Sequence, residues 1–277
     1  TNDDGRIVYV MLNREARMNA LSAALLRELV TVSRWLVTRD EVRVVVLHGA
    51  GDNFTAGFDL DDFSGPSTAD PRTNADLGRH AAEALSNVPQ LTIAAVRGHC
   101  IGGGVVLTAC CDLRIAADNT VFRIPEVDLG IPLAWGGVPR LVREIGPAMA
   151  RELILTCRPF DASEAQRLGF INRVGLVADL DGVVATLASS MAAKPAFAVR
   201  TTKAQIAAVT EEMAGTGRNA NDADTLVVAM RDPESRAISQ AVPKPTISST
   251  FSVPARRPVS WPAPWQNFSM SRDECTY

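Results

Sequence analysis

The sequence predicts an α/β fold: a layered core with a mainly parallel sheet, followed by a helical carboxy-terminal subdomain. Over the first half of the chain, short apolar runs typical of strands alternate with amphipathic helical segments. Strand signals nearly vanish beyond residue 145, and the composition turns to proline, serine and tryptophan from Pro243. We therefore predict an α/β core over 1–190, helices over 191–242, and an extended or disordered tail over 243–277.

The strand candidates are short runs of apolar and β-branched residues. Ile7 to Leu12 is the first, and the continuous apolar run from Val42 to Leu47 suits a strand buried on both faces. Two more strands are predicted over Leu91–Val96 and Asp112–Ala116. Because strands joined through helices pair in parallel, these runs predict a parallel sheet.

Helices are predicted where apolar residues recur every three or four positions. The segment from Leu21 to Val37 shows this spacing clearly. Asp161 followed by Glu164 indicates a capped short helix that ends at Gly169. The remaining predicted helices lie at 74–87, from near Gly104, and at 179–193, 196–213 and 220–240.

Charge and composition exclude several classes of function. The net charge of −3 comes without a basic stripe, so we expect no nucleic-acid partner. The apolar runs are shorter than the roughly 20 residues that cross a bilayer, and no secretory signal is evident. The five cysteines are an odd number without disulfide or metal-ligand spacing. We expect reduced thiols, no structural metal, no membrane association and a cytoplasmic location.

Two glycine-rich loops are the candidate chemical elements. The first, HGAGDNFTAGFDL, covers 48–60, and the second, VRGHCIGGGVVLTACCDLRIA, covers 96–116. Glycine at such turns permits close backbone approach and leaves amides free to face a ligand. Taken alone, the triple glycine at 102–104 fits tight helix packing as well as ligand binding. The spacing of a dinucleotide-binding loop is absent.

Six sequence blocks together resemble the crotonase superfamily of enoyl-CoA hydratases, enoyl-CoA isomerases and dienoyl-CoA isomerases. The resemblance covers roughly residues 5–240 and implies a spiral core of repeated strand–turn–helix units. It also implies an acyl-CoA substrate, no cofactor besides the coenzyme A of that substrate, and a homotrimer or hexamer. The matching blocks are NREARMNALS (13–22), FTAGFDL (54–60), GHCIGGG (98–104), CDLRIA (111–116), IPEVDLGI (124–131) and GGVPRLVREIG (136–146).

The resemblance implies an oxyanion hole formed by the backbone amides of Ala56 and Gly103. Such donors stabilise the charge that builds on a thioester oxygen, and losing one costs about 3 kcal/mol. For Asp59, a role as a helix N-cap is an alternative to ligand contact. For Trp135, the alternative to lining the substrate pocket is ordinary packing. The implied substrate-binding residues are Ala56, Gly57, Phe58, Asp59, Gly102, Gly103, Val106 and Trp135.

One of the two glutamates that hydratases of this superfamily use is missing. Its position is occupied by Val106, whereas the other is filled by Glu126. Dienoyl-CoA isomerases carry acidic residues at the Val106 position and near Ala134. In this sequence both of these positions hold apolar residues, which counts against that reaction. A carboxylate enclosed by Ile124, Val127 and Leu129 has a raised pKa and suits acid–base catalysis. In a purely structural alternative, Glu126 lies at the amino-terminal end of a helix and only interacts favourably with the helix dipole.

A single carboxylate is sufficient to move a double bond, because one group can remove a proton and return it. We therefore favour isomerisation over hydration, within an enoyl-CoA hydratase/isomerase type of activity and with Glu126 as the catalytic residue. Two alternatives stay open. The first is a non-catalytic acyl-CoA-binding protein that has lost its acid/base pair. The second is another enolate reaction, such as decarboxylation of a CoA ester.

Overall fold

A five-stranded parallel sheet organises the structure, a computed structural model that describes residues 5–59, 70–219 and 221–241. Its order is β1-β2-β3-β5-β8, and the four predicted strands are present with ends shifted by at most two residues. The described strands are β1 (Ile7–Leu12), β2 (Val44–Gly49), β3 (Leu91–Val96), β4 (His99–Ile101), β5 (Leu113–Ala117), β6 (Val121–Arg123), β7 (Phe160–Asp161) and β8 (Arg173–Gly175).

A small second sheet, which the sequence did not predict, continues from the end of β3. Its order is β4-β6-β7, with β4 and β6 parallel and β7 antiparallel. Phe122 of β6 stacks on Phe160 of β7 with ring centroids 5.3 Å apart. Strands of two or three residues are too short to show a sequence period, which explains why they were missed.

Nine α-helices lie in the described part of the chain. The side chains of Ser22, Asp70 and Asp161 cap the helices that follow them directly. The predicted helix over 220–240 is in fact two helices, because Pro233 begins a new one. The helices are α1 (Ala23–Val37), α2 (Pro71–Ser86), α3 (Gly103–Ala109), α4 (Gly137–Thr156), α5 (Ala162–Arg167), α6 (Leu180–Ala192), α7 (Ala196–Met213), α8 (Asp222–Ala229) and α9 (Pro233–Ala241).

Apolar clusters cover both faces of the main sheet. On one face, Val44, Ile93 and Ile115 belong to a cluster that includes Leu180 and Val184 of α6. The larger cluster draws on α1, α3 and α4. Strands buried in this way read as continuous apolar runs, and that is how β2 and β3 were recognised. The α/β class that the sequence predicted is therefore confirmed.

Two further features of the fold bear on the sequence predictions. Within the described residues, no single helix combines the length and hydropathy of a membrane span; only the pair α6 and α7, bent by 106°, reaches both together. The described residues fall in one compact unit. The proposed division near residue 190 stays a prediction, and the tail over 243–277 lies outside the described residues, as does residue 242.

Candidate active site

The two glycine-rich loops lie side by side. Thr55 N donates a hydrogen bond to His99 O at 2.9 Å, and Ile101 N donates to Thr55 O at 3.1 Å. The side chain of Asn53 adds a third link by accepting from His99 N at 3.0 Å. The first loop follows β2 and the second follows β3, and because these strands pair in parallel, both loops start at the carboxyl end of the main sheet.

The two amides of the implied oxyanion hole differ in their hydrogen bonding. Gly103 is the first residue of α3, so its N–H has no acceptor within the helix, and no described residue outside it accepts one. In contrast, Ala56 N donates to Met18 O at 2.8 Å. Met18 and Asn19 both have left-handed backbone dihedrals, with φ of 47° and 54°. A ligand oxygen at Ala56 has to replace this carbonyl.

Glu126 places a carboxylate against the turn that precedes α3. Gly102 has φ of +51°, which favours glycine there, and a Cβ at this position would lie 2.5 Å from Glu126 Oε1, so any larger residue would also have to displace the carboxylate. Although the Glu126 residue is partly exposed, its Oε2 is buried and has no hydrogen-bond partner among the described residues.

Burial raises the pKa of Glu126 to about 7, which confirms the rise expected from the sequence. The expected enclosure was only partly correct. Ile124 is fully buried, but Val127 is 40% exposed. The glycine turn at Gly102, rather than Val127, supplies the close contact.

The position that the resemblance assigns to the second hydratase glutamate is closed and apolar. Val106 is 1% exposed and lies in the main apolar cluster together with Leu133 and Ala134. A Cβ at Gly137 would come within 2.8 Å of Val106 Cγ2, so the valine methyl fills this space. Neither a charge nor a hydrogen-bonding group is offered to a water molecule by the Val106 side chain.

Trp135 is buried beside the Gly103 amide. A Cβ on Gly103 would overlap the indole, so the ring lies directly against the helix turn. Phe58 from the first loop meets the same indole edge-to-face, with ring centroids 5.8 Å apart. These contacts bring together three of the residues that the sequence assigned to substrate binding.

Asp59 is 4% exposed and is paired with two arginines. Arg14 Nη1 lies 2.8 Å from Asp59 Oδ2, and Arg17 Nη2 lies 3.3 Å from Oδ1. Sequence reasoning missed both arginines, although they belong to the block at 13–22. The alternative of a helix N-cap concerns residues from 60 onward, which lie outside the described residues.

Two further titratable side chains belong to the same segments. Asp128, two residues beyond Glu126, is exposed and pairs with Arg123 at 2.7 Å. The pKa of half-buried His99 is lowered by burial. No group of three or more potential metal-binding side chains occurs among the described residues.

Comparison with known proteins identifies relatives of this chain. The sequence matches the enoyl-CoA hydratase/isomerase family over residues 2–237. It is 36% identical to a peroxisomal Delta(3,5)-Delta(2,4)-dienoyl-CoA isomerase of Arabidopsis thaliana, over 73% of this chain and 78% of that protein. It is 35% identical to a short-chain-enoyl-CoA hydratase of Clostridium acetobutylicum, again over 73% and 78%.

Solved structures show the same fold. An enoyl-CoA hydratase from Bacillus anthracis superposes with a TM-score of 0.72 at 34% identity, covering 82% of this chain and 89% of that one. An enoyl-CoA hydratase from Bacillus halodurans reaches a TM-score of 0.79 at 23% identity, covering 87% and 98%. The second likeness concerns the fold alone.

Proposed function

Because this chain belongs to the enoyl-CoA hydratase/isomerase family, we propose that it moves the double bond of an enoyl-CoA thioester with Glu126 as the single acid/base. The observation that carries this proposal is the contrast between Glu126 and Val106. Glu126 has a buried, unpartnered Oε2, and its raised pKa places both protonation states within reach near neutral pH. Val106, where a second carboxylate would act on water, is buried among apolar side chains.

The proposed reaction begins when the Glu126 carboxylate takes a proton from C2 of a 3-enoyl-CoA. The electron pair of that C–H bond moves into the thioester carbonyl and gives a dienolate. Glu126, now a carboxylic acid, returns the proton to C4, and the carbonyl re-forms with the double bond between C2 and C3. No water is consumed and no redox change occurs.

Backbone donors stabilise the charge that develops on the thioester oxygen. Gly103 N–H stands at the amino-terminal end of α3, where the aligned peptide dipoles also favour negative charge. The second donor, Ala56 N–H, becomes available when the thioester oxygen replaces Met18 O. Each such donor contributes about 3 kcal/mol to the transition state.

Hydration is the less favoured reaction, since it needs a water to be held and a proton to be supplied at the same time. A non-catalytic acyl-CoA-binding role is also less favoured, because nothing is gained for binding by burying a carboxylate without a partner. Decarboxylation of a CoA ester needs only the amide donors and would leave Glu126 without a role.

The test offers the protein a 3-enoyl-CoA and a 2-enoyl-CoA in separate reactions and identifies the products by chromatography. We expect the 3-enoyl-CoA to become the conjugated 2-enoyl-CoA, with much slower formation of 3-hydroxyacyl-CoA from the 2-enoyl-CoA. Hydration at a comparable rate would overturn the preference for isomerisation. Binding of both esters without turnover of either would overturn the catalytic proposal. Carbon dioxide release from a carboxylated acyl-CoA, with neither enoyl ester turned over, would favour decarboxylation.

Further properties of the enzyme stay predictions. We propose coenzyme A as part of the substrate and no separate cofactor or metal. A homotrimer or hexamer and a cytoplasmic location are likewise expected from the sequence.

A further inference from the structure

Trp135 is held between two helices by a pair of glycines. The indole lies against Gly103 of α3 on one side and against Gly78 of α2 on the other, and a Cβ on either glycine would overlap the ring. Glycine in a helix interior costs about 1 kcal/mol relative to alanine. Gly78, in the interior of α2, therefore has a packing role: it makes room for the indole.

The backbone that carries this indole has an unusual conformation. Trp135 has φ of +62° and Gly136 has φ of +69°. A left-handed conformation is a genuine outlier for a bulky residue such as tryptophan and persists only where the surroundings enforce it. Contacts that fix Trp135 and Gly136 therefore fix the position of the indole.

Two charged side chains make those contacts. Asp222, at the start of α8, accepts a hydrogen bond from Gly136 N at 2.8 Å. The buried guanidinium of Arg140 donates to Trp135 O at 3.3 Å and to Gly136 O at 3.2 Å. Asp222 lies 86 residues after Gly136 in the chain, so the start of α8 contacts the Trp135–Gly136 turn.

We propose that Asp222 is a positioning residue for Trp135, and that the indole is a fixed wall that restricts the enzyme to short acyl chains. The proposal rests on the proposed function, because it takes Gly103 N–H as the donor to the thioester oxygen. A thioester held there lies next to the indole, which leaves little room for a long chain. Phe58 of the first loop packs edge-to-face on the indole and extends the wall on that side.

The chain offers a matched control for Asp222. Asp224 lies on the same helix and pairs with Arg72 of α2 at 2.6 Å, but this pair is exposed and does not touch the Trp135–Gly136 turn. Replacing Asp224 perturbs the contact between α8 and α2 without removing the acceptor of Gly136 N. Replacing Asp222 with Asn keeps an oxygen acceptor, whereas Ala removes it.

The test measures kcat/KM for a six-carbon and a twelve-carbon 3-enoyl-CoA in each variant. We expect Trp135→Gly, which also suits the positive φ, to raise the ratio of long-chain to short-chain kcat/KM by about tenfold. Trp135→Phe should shift it less, in the same direction. Asp222→Ala should shift it about threefold, with Asp222→Asn and Asp224→Ala near wild type. An unchanged ratio in Trp135→Gly and Trp135→Phe would overturn the wall. An equal shift in Asp224→Ala would overturn the role of Asp222.

A binding measurement separates this inference from the proposed reaction. Calorimetric titration with hexanoyl-CoA and dodecanoyl-CoA, which carry no double bond, gives the same long-to-short comparison without turnover. One outcome is that neither wild type nor any variant turns over an enoyl-CoA, while Trp135→Gly still improves the affinity for dodecanoyl-CoA relative to hexanoyl-CoA. That result would support the role of Trp135 as a wall and overturn the proposed reaction. If turnover is present but neither the kcat/KM ratio nor the affinity ratio changes in Trp135→Gly, only the role of Trp135 is overturned.

Discussion

Asp59 and Glu126 both carry a carboxylate to the glycine-rich loops, but among the described residues only Asp59 is paired with positively charged side chains there. Arg14 and Arg17 lie within 3.3 Å of the Asp59 carboxylate. The Glu126 Oε2 is buried and accepts no hydrogen bond from any residue that the structure describes, and burial raises the pKa of that carboxyl to about 7. Two acidic side chains close to the same loops therefore have opposite electrostatic surroundings.

The difference separates structural from chemical roles. A carboxylate paired with two guanidinium groups fixes the segments that carry it, here the block around Arg14 and the loop that ends at Asp59. A buried carboxylate without a partner costs stability and changes its protonation easily. We therefore expect changes at Glu126 to affect turnover, and changes at Asp59 to affect folding.

The largest effect is expected from Glu126→Gln. The amide keeps the shape of the side chain but cannot transfer a proton, so kcat for the 3-enoyl-CoA should fall by about a thousandfold or more. Calorimetric titration should show that a saturated acyl-CoA still binds. Asp128→Asn is the matched control, because Asp128 is exposed and pairs with Arg123. Retained turnover in Glu126→Gln would assign the proton transfer to another group.

The pH dependence of the rate should follow the Glu126 carboxyl. The reaction begins from the carboxylate, so kcat/KM should reach half its plateau near pH 7. It should fall about tenfold per pH unit below that value. Steady-state rates across pH 5 to 9 in constant ionic strength would measure this. A midpoint near 4.5, the ordinary value for a glutamate, would show that the Glu126 carboxyl is solvated in the free enzyme.

Glu126→Gln should also stabilise the fold at neutral and alkaline pH. Between the unfolded pKa of 4.5 and the folded pKa of about 7, the folded state keeps a proton that the unfolded state has lost. Wild-type stability therefore falls as pH rises through this window, whereas glutamine does not titrate. We expect a gain of about 3 kcal/mol at pH 8 and less than about 0.5 kcal/mol at pH 4.5. Urea unfolding at both pH values measures it, and an equal gain at both would contradict the assignment.

The smallest effect is expected at Asp59. Asp59→Ala should lower the free energy of unfolding by about 1–2 kcal/mol, less than for a fully buried pair because Arg14 and Arg17 are 31% and 46% exposed. Asp40→Ala, which breaks the exposed pair with Arg200, is the control and should change it by less than about 0.5 kcal/mol. Urea unfolding compares the variants. A loss of kcat without a loss of stability in Asp59→Ala would contradict the separation of roles.

Much of the fold was predictable because its long elements show a clear period. The helix predicted over 196–213 is Ala196–Met213, and the strand over Leu91–Val96 has the predicted ends. The α4 segment was missed because it is two helical stretches joined by a kink, where Gly146, with φ of +72°, and Pro147 interrupt the pattern. Sequence period is informative only where an element is long and uninterrupted.

The site was predictable only in part. Glu126 and the two loops were found because their residues lie in contiguous sequence blocks. The partners of Asp59 and of Gly136 N were not found, since 45 residues separate Arg14 from Asp59 and 86 separate Gly136 from Asp222. Such contacts follow from how the layers pack, and neither spacing nor periodicity in one sequence reveals them.

On the proposed function, the hydrogen bond from Ala56 N to Met18 O is an internal competitor for the substrate. Because that amide is already satisfied, the proposed gain on binding is the difference between two hydrogen bonds to carbonyl oxygens and not the full value of a new one. The same exchange, run in reverse, would favour release of the product over its retention.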